Sequence, residues 1–557
     1  MLHKIKYRIG LLLVVGLGFS CITNSCSKSK DLAEDPYAGG KQVLDIQFIS
    51  KTTDPDIVNA GASLELKVNG LLKYKDQFKV FVNELEAEVL TYTDSTLNFV
   101  VPAMASTGSV WVTANEQSFF GPVIKIGGKV SVDVSFKAIN GTSKLGTGGD
   151  ASIYDIIQLP NSKFWLGGAF DSFELKATEE KPKAGIVQMG PEGGYDDDYM
   201  RFGIGAFGAS KTIYSINRIN TGSYNGKFIV SGNFSAYDSK RPTRQTINNI
   251  TRLNDNGSLD TIRTLDIVNP TPEKVWKNAD TIPAFNGGVD GVVRKTFIFG
   301  EKLYVIGNFQ NYKRIYYPNS SYDDKVYDVT RMLQIAKLNL DGSMDSTFHY
   351  NPATGQSETA GNGSINDAMM QSDGKLILVG NFTSFNGITA NRIVRLNLNG
   401  SVDQSFNVGQ GSDGDINSIR YNEVTKKIVL SGLFTSFNGK SANAVIVLNS
   451  DGTVDDTFIS EKISGGAVTF AAQLNSGKII VSGTFNRYGD YLRQGFMILD
   501  ANGTLAAGYN NTGGFKGRIY DMIETEMSNE SKVILVGSIS RFNSTLPGNI
   551  LRLLIKK

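Results

Sequence analysis

The side chains of this 557-residue chain best suited to hold a ligand are aromatic. Trp276 lies in one irregular stretch, 263–286, and Tyr312, Tyr316, Tyr317, Tyr322 and Tyr327 lie in the next, 310–331, with Asn, Asp and Arg among them. An apolar ring face beside hydrogen-bond donors suits stacking on a sugar ring or gripping a peptide. Catalytic side chains are scarce by comparison. The only histidines are His3 and His349 and the only cysteines Cys21 and Cys26, so neither a Ser-His-Asp nor a Cys-His site nor a His-rich zinc site can be assembled. His349 adjoins Phe348 of a repeated motif and reads as structural. Carboxylate pairs remain open to glycoside hydrolysis. The run Asp196-Asp197-Asp198 is the obvious candidate, yet Asp196 falls in register with Asp403 of the repeat. The recurring set Asp133, Asp260, Asp345, Asp403 and Asp455 reads as turn caps. The acidic crossing Gly411-Ser412-Asp413-Gly414-Asp415 lacks a complete oxygen-ligand spacing for calcium. The expectation is no catalytic residue, no metal and no cofactor.

The elements that must position the aromatics come from a repeat. An apolar run ending in Gly-x-Phe recurs at Gly168–Phe170, Gly232–Phe234, Gly307–Phe309, Gly380–Phe382, Gly432–Phe434 and Gly483–Phe485, with a degenerate copy at Gly537–Ile539. A second signature, an apolar strand, an Asn-x-x-Gly turn and Val/Leu-Asp-x-Ser/Thr-Phe, follows most copies. Within the best copy, Ile365–Met370, Lys375–Phe382, Arg392–Leu398 and Val402–Phe406 each read as a strand. Four strands per unit over seven units predict an all-β chain whose units stack into a β-propeller. The last unit ends at Leu551-Arg552-Leu553-Leu554-Ile555 without its Val-Asp-x-Ser-Phe segment. That segment stands instead at Val132–Phe136, ahead of the first copy, so the N-terminal strand is expected to complete the seventh blade and close the ring.

Upstream of the repeats the pattern changes. Lys4, Lys6 and Arg8 precede an apolar run, Ile9 to Phe19, too short to span a bilayer, so 1–25 reads as a signal peptide. A cysteine directly after such a run resembles the lipidation site of bacterial lipoproteins, with Cys26 or, alternatively, Cys21 as the acylated residue. A polar tether, 26–42, follows. Residues 43–126 carry short alternating strands, including Leu64–Val68, Phe78–Val82, Leu97–Val101 and Val110–Val112, expected to form a β-sandwich. With Gly61, Val68-Asn69-Gly70, Val80–Asn83, Leu97–Pro102 and Gly108–Val112 in this order, the segment resembles the IPT/TIG type of immunoglobulin-like domain. Residues 127–557 are then the seven-bladed propeller, 127–136 completing its last blade. Leader, Ig-like module and repeats together resemble Bacteroidetes-type surface lipoproteins with delta-type propeller repeats, a group whose resemblance implies a cell-envelope, outer-membrane location and no known activity.

Charge is nearly balanced, 56 basic against 54 acidic residues, so nothing marks nucleic acid as a partner. Strand alternation places the second-to-third connections and the crossings between units on one face of the ring. Nearly every insertion falls there: 172–183, 235–248, 263–286, 310–331 and 350–362. Long insertions on a rigid scaffold are where binding residues concentrate. The reading is a binding protein, not an enzyme, attached to the membrane only through its lipid anchor and recognising an extracellular glycan. A protein-binding scaffold or adhesin, with an envelope protein as partner, and a carboxylate-based glycan hydrolase or lyase are the alternatives.

Overall fold

The glycine of each Gly-x-Phe copy marks where two backbones run closest. In the computed structural model a Cβ on Gly380 would stand 2.0 Å from the Ser364 carbonyl oxygen, and one on Gly232, Gly307 or Gly432 would stand 2.1 Å from its equivalent. No side chain fits there. The following Phe, at 170, 234, 309, 382, 434 and 485, is buried in every copy, as is Ile539 of the degenerate one. Residues 42–146, 149–239, 247–265 and 272–557 are described. The chain divides into two units, Met1–Ile46 and Gln47–Lys557. Only 42–46 of the first belong to the described residues, so Cys21 and Cys26 lie outside them.

Within Gln47–Lys557, strands from Gln47–Phe48 to Gln117–Gly127 make one hydrogen-bonded set of eight. Leu85–Tyr92 joins its halves: residues 85–87 pair with Phe78–Val82, and 88–92 pair with Thr96–Val100 after a register shift. Alternation sets the buried face, with Leu64, Leu66, Val68, Val80, Val82, Leu97, Phe99, Val110 and Val112 inside. Trp111 and Phe81 stack on the other face at 4.4 Å.

The described residues from Val130 onward form seven larger sheets. Six are three-stranded, ordered first-second-third, among them Ser152–Gln158, Phe164–Ala169 and Ile186–Met189, and Ile365–Met370, Leu376–Gly380 and Ile393–Leu396. The seventh is four-stranded: Phe515–Glu526, Glu530–Phe542 and Ile550–Lys556 are joined by Val130–Val132, which pairs antiparallel with Leu553–Ile555. Second strands such as Leu376–Gly380 are covered on both faces by neighbouring sheets, which is why they read as continuous apolar runs. Each first strand packs beside the next, and the seventh, Phe515–Glu526, packs against the first, Ser152–Gln158, so the series closes on itself.

One element differs from expectation. Val402–Phe406 is not a strand: Val402 makes a single bridge to Leu396, and the chain then turns. The aspartate explains it. Asp403 Oδ1 accepts the Ser405 N–H at 3.0 Å and its hydroxyl at 2.7 Å, drawing the backbone out of the ladder. Its other oxygen accepts from Arg395 and Lys375, both at 2.8 Å. Asp345 and Asp455 repeat the arrangement, and Asp196 bonds Lys163 at 2.7 Å. A lysine stands five residues before the signature glycine in all seven copies, at 163, 227, 302, 375, 427, 478 and 532, and the first five pair with the motif aspartate.

His349 is structural, held by its backbone N–H on the Asn399 carbonyl at 3.0 Å and not by its imidazole. It is 2% exposed with φ +52°, near the Phe348 and Phe385 rings, and neither ring nitrogen has a partner within the protein among the described residues. Burial pushes its imidazole down from 6.5 to about 4. As pH falls the unfolded chain protonates first, so stability fully present above about pH 6.5 is lost progressively toward pH 4, by about 3 kcal/mol. His349→Asn, which tolerates positive φ, should flatten that acid limb. The check is the urea midpoint at pH 7 and again near pH 4; an unchanged drop between them would exclude the imidazole as its source.

Candidate functional site

Every first strand carries a register shift: between Ile153 and Asp155, Ile213 and Ser215, Val293 and Lys295, Ile365 and Asp367, Ile416 and Ser418, Val468 and Phe470, and Ile519 and Asp521. A bulge adds a residue to one strand and re-aims its side chains. Here it delivers two consecutive residues from six sheets, and Tyr214 alone from the second, to one cavity of about 230 Å³ lined from all seven sheets. The upper residues include Tyr154, Tyr214, Arg294, Asn366, Asn417 and Tyr520; the lower include Asp155, Lys295, Asp367, Ser418 and Asp521. First strands start at the crossings, so the upper residues lie toward the insertion-rich face. A second cavity of about 310 Å³, lined by Arg294, Asn308, Asn366, Asn417 and Arg518, shares lining residues with the first and forms with it a channel whose mouth is on that side.

The lower ring is bound up in the fold. Asp155 Oδ2 accepts the backbone N–H of Ile216 on the next sheet at 2.6 Å, and Asp367 accepts that of Ile419 at 3.1 Å. The bulge frees these N–H groups, and the preceding sheet satisfies them. Asp367 also pairs with Lys295 at 3.0 Å and Arg420 at 2.5 Å, whose charges outweigh its burial and hold its carboxyl near 2. Burial, reinforced by the Asp521 charge, pushes the Asp155 carboxyl up to about 7. Lys295 and Arg420 of this lower ring are thus both engaged by Asp367.

The upper ring is differently built. Tyr154 lies 4.6 Å from Tyr214 and 4.7 Å from Tyr520, ring centre to ring centre. Arg294 sits over Tyr214 and Arg518 over Tyr520, each at 5.2 Å. Sequence reasoning missed these five residues. At the bulge the residue type changes from sheet to sheet, so only the recurring shift identifies Tyr154, Tyr214, Arg294 and Tyr520; Arg518 stands two residues before the last of these.

The six aromatics singled out in the sequence separate into surface and core. Trp276 is 64% exposed, meets Tyr322 edge to face at 5.3 Å, and has Lys277 Nζ 5.3 Å above its ring, that lysine also pairing with Asp323. The contact joins the two insertions as the loop geometry requires. Tyr316 is exposed, and Tyr317 and Tyr327 are half-buried, with Lys313 4.7 Å over the Tyr327 ring. Tyr312 does not belong to that surface. It is 2% exposed, packs among Val289, Phe309 and Met332, and donates its hydroxyl to the Gly342 carbonyl at 2.9 Å. Asp413 of the acidic crossing accepts from the Thr435 N–H and hydroxyl and the Ser436 N–H at 2.7–3.0 Å, so its carboxylate is already engaged. Among the described residues no cluster of three metal-ligating side chains occurs, and no helix is long and apolar enough to cross a membrane.

Three stretches, 371–406, 426–458 and 474–505, match the family described as domain of unknown function (DUF5122) beta-propeller, so the repeats there are similar to those of a β-propeller family. Residues 17–122 match a second domain of unknown function, DUF5008, where the sequence resembled an IPT/TIG module. No curated protein matches the chain. Among solved structures, an extracellular domain assigned to a hybrid two component system of B. thetaiotaomicron aligns at 12% identity and TM-score 0.35, over 74% of this chain and 39% of that one, so this chain spans about two fifths of its length. An auxiliary nutrient binding protein of Bacteroides thetaiotaomicron aligns at 11% identity and TM-score 0.31, covering 91% of this chain and 97% of that one. The WD40 beta propeller domain of Doa1 aligns at 11% identity and TM-score 0.37, covering 75% and 97%.

Proposed function

We propose that this chain is a lipid-anchored binding protein of the bacterial cell envelope. An Ig-like β-sandwich presents a seven-bladed propeller, closed by its N-terminal strand, to an extracellular carbohydrate. The leader with its basic start, short apolar run and following cysteine supports the anchor. The observation that carries the ligand class is Trp276, a large aromatic left exposed yet braced by Tyr322 and Lys277. A braced, solvent-facing ring loses little entropy on stacking against a sugar. It belongs to the same face as the channel mouth, so loops and channel can share one ligand.

Affinity electrophoresis of the full chain through gels containing purified polysaccharides tests this. At least one polysaccharide should retard the protein without releasing product, and Trp276→Ala or Tyr322→Ala should weaken retardation about tenfold, one braced stacking contact being worth about 1–1.5 kcal/mol. Free migration of the wild type through every gel would sink the carbohydrate reading. Product release abolished by a carboxylate substitution would make the chain a hydrolase or lyase instead.

A second reading has its own support. A cavity of about 730 Å³ separates the sandwich from the sixth and seventh sheets, and Trp111, Phe120, Val123 and Phe485 help line it. Phe120 is 71% exposed and Val123 is exposed beside it. Apolar side chains in such a groove suit a protein segment, the scaffold alternative.

A further inference from the structure

We propose that the channel mouth is a site for an acidic sugar residue, its carboxylate held by Arg294 and Arg518 and its ring set against Tyr154, Tyr214 and Tyr520. This deepens the carbohydrate reading above and rests on it. Arg294 and Arg518 line the same opening. Each lies over a tyrosine face and has no carboxylate partner among the described residues. Lys295 and Arg420 below are already engaged by Asp367, so these two guanidiniums are the cations presented at the entrance. Guanidinium forks suit planar, two-oxygen acceptors. The tyrosine cluster supplies the apolar face a pyranose ring needs, and the side chains of Asn308 and Asn417, without an intramolecular partner among the described residues, supply amides for its hydroxyls. A volume of about 310 Å³ sits at the low end of small-molecule sites and fits one residue at a chain end, not a threaded polymer.

The test is titration calorimetry of the full chain with a galacturonate oligosaccharide, a sulfated oligosaccharide, a neutral gluco-oligosaccharide of equal length and inorganic phosphate. The galacturonate oligomer should bind at least tenfold more tightly than the neutral one, with the preference shrinking as salt rises. Arg294→Gln and Arg518→Gln should each remove that preference, bringing affinity for the galacturonate oligomer down to that for the neutral one. Arg518→Lys should restore it only in part, because an ammonium lacks the fork. Equal binding of acidic and neutral oligomers would overturn the acidic site and leave the glycan reading standing. Binding of neither would overturn both. Equal or better binding of the sulfated oligomer, or of phosphate, would show a general anion site and overturn the carboxylate assignment. Should a glutamine variant fold poorly, the wild-type preference and its salt dependence decide alone.

Discussion

Arg552→Ala is expected to destabilise the protein by about 3–5 kcal/mol, the cost of leaving one member of a buried ion pair alone. Arg552 and Asp133 pair at 2.7 Å with side chains 4% and 5% exposed, although 419 positions separate them. The guanidinium also donates to the Pro191 carbonyl at 2.9 Å and covers the Phe136 ring at 4.7 Å. Burial alone would raise the Asp133 carboxyl; hydrogen bonds from Ser135 and Arg552 outweigh it and hold it below its ordinary value. Two comparisons separate closure from simple pair loss. Arg395→Ala removes the corresponding arginine from Asp403, only eight residues away, but leaves that carboxylate paired with Lys375, so it should cost less and should not free the N-terminal strand. Asp133→Asn combined with Arg552→Met should recover much of the loss, since an apolar replacement leaves no orphan charge. The check is urea unfolding together with amide exchange over residues 130–132 and 550–556. Accelerated exchange there in Arg552→Ala but not in Arg395→Ala is the predicted signature; equal exchange in both would mean that the pair does not hold the ring closed.

The second large effect is at the seam between the first two sheets. Trp165 is fully buried, stacks on Phe228 at 3.8 Å, meets Phe202 edge-on at 4.9 Å, and donates its indole N–H to Gln188 Oε1 at 3.1 Å. Trp165→Ala should cost about 3–5 kcal/mol through the cavity left behind and leave the Gln188 amide oxygen without its donor. Trp165→Phe keeps the stack and loses only the hydrogen bond and part of the volume, so its urea midpoint should fall between the two. A loss below about 1 kcal/mol for Trp165→Ala would mean that the seam collapses around the deletion.

What the sequence could disclose follows from which constraints act on residue type. The Gly-x-Phe signature was legible because backbone contact at Gly380 admits no Cβ and the pocket behind it takes Phe382 in every copy. The terminal strand was legible because Asp133 and Ser135 keep the turn chemistry of Asp403 and Ser405. That same chemistry was misread as a strand, since Val402-Asp403-Gln404-Ser405-Phe406 alternates while its aspartate bends the backbone. The lysine five residues before each glycine is equally legible, since its spacing to the glycine never varies.

The channel was hidden for a different reason. Its lining depends on a bulge, which fixes geometry without fixing residue type: the same position holds Tyr154, Tyr214, Arg294, Asn366, Asn417, Thr469 and Tyr520. The hairpin after it also varies in length, so no constant spacing ties it to the signature glycine. Loop aromatics were easier to see but harder to place. Tyr312 and Tyr316 stand four residues apart, yet one anchors its hairpin to the core and the other faces solvent.

The account's central claim is that ligand engages the insertion-rich face of the propeller. Hydrogen–deuterium exchange of the full chain, with and without a saturating galacturonate oligosaccharide, addresses it most directly. The account predicts slowed exchange in peptides spanning 272–283 and 316–327 and at the starts of the first strands, around 154, 214, 294, 366 and 520. Turns on the opposite face, such as 372–374 and 475–477, should be unchanged. Slowing confined to those turns, or to the groove around Trp111 and Phe120, would contradict it.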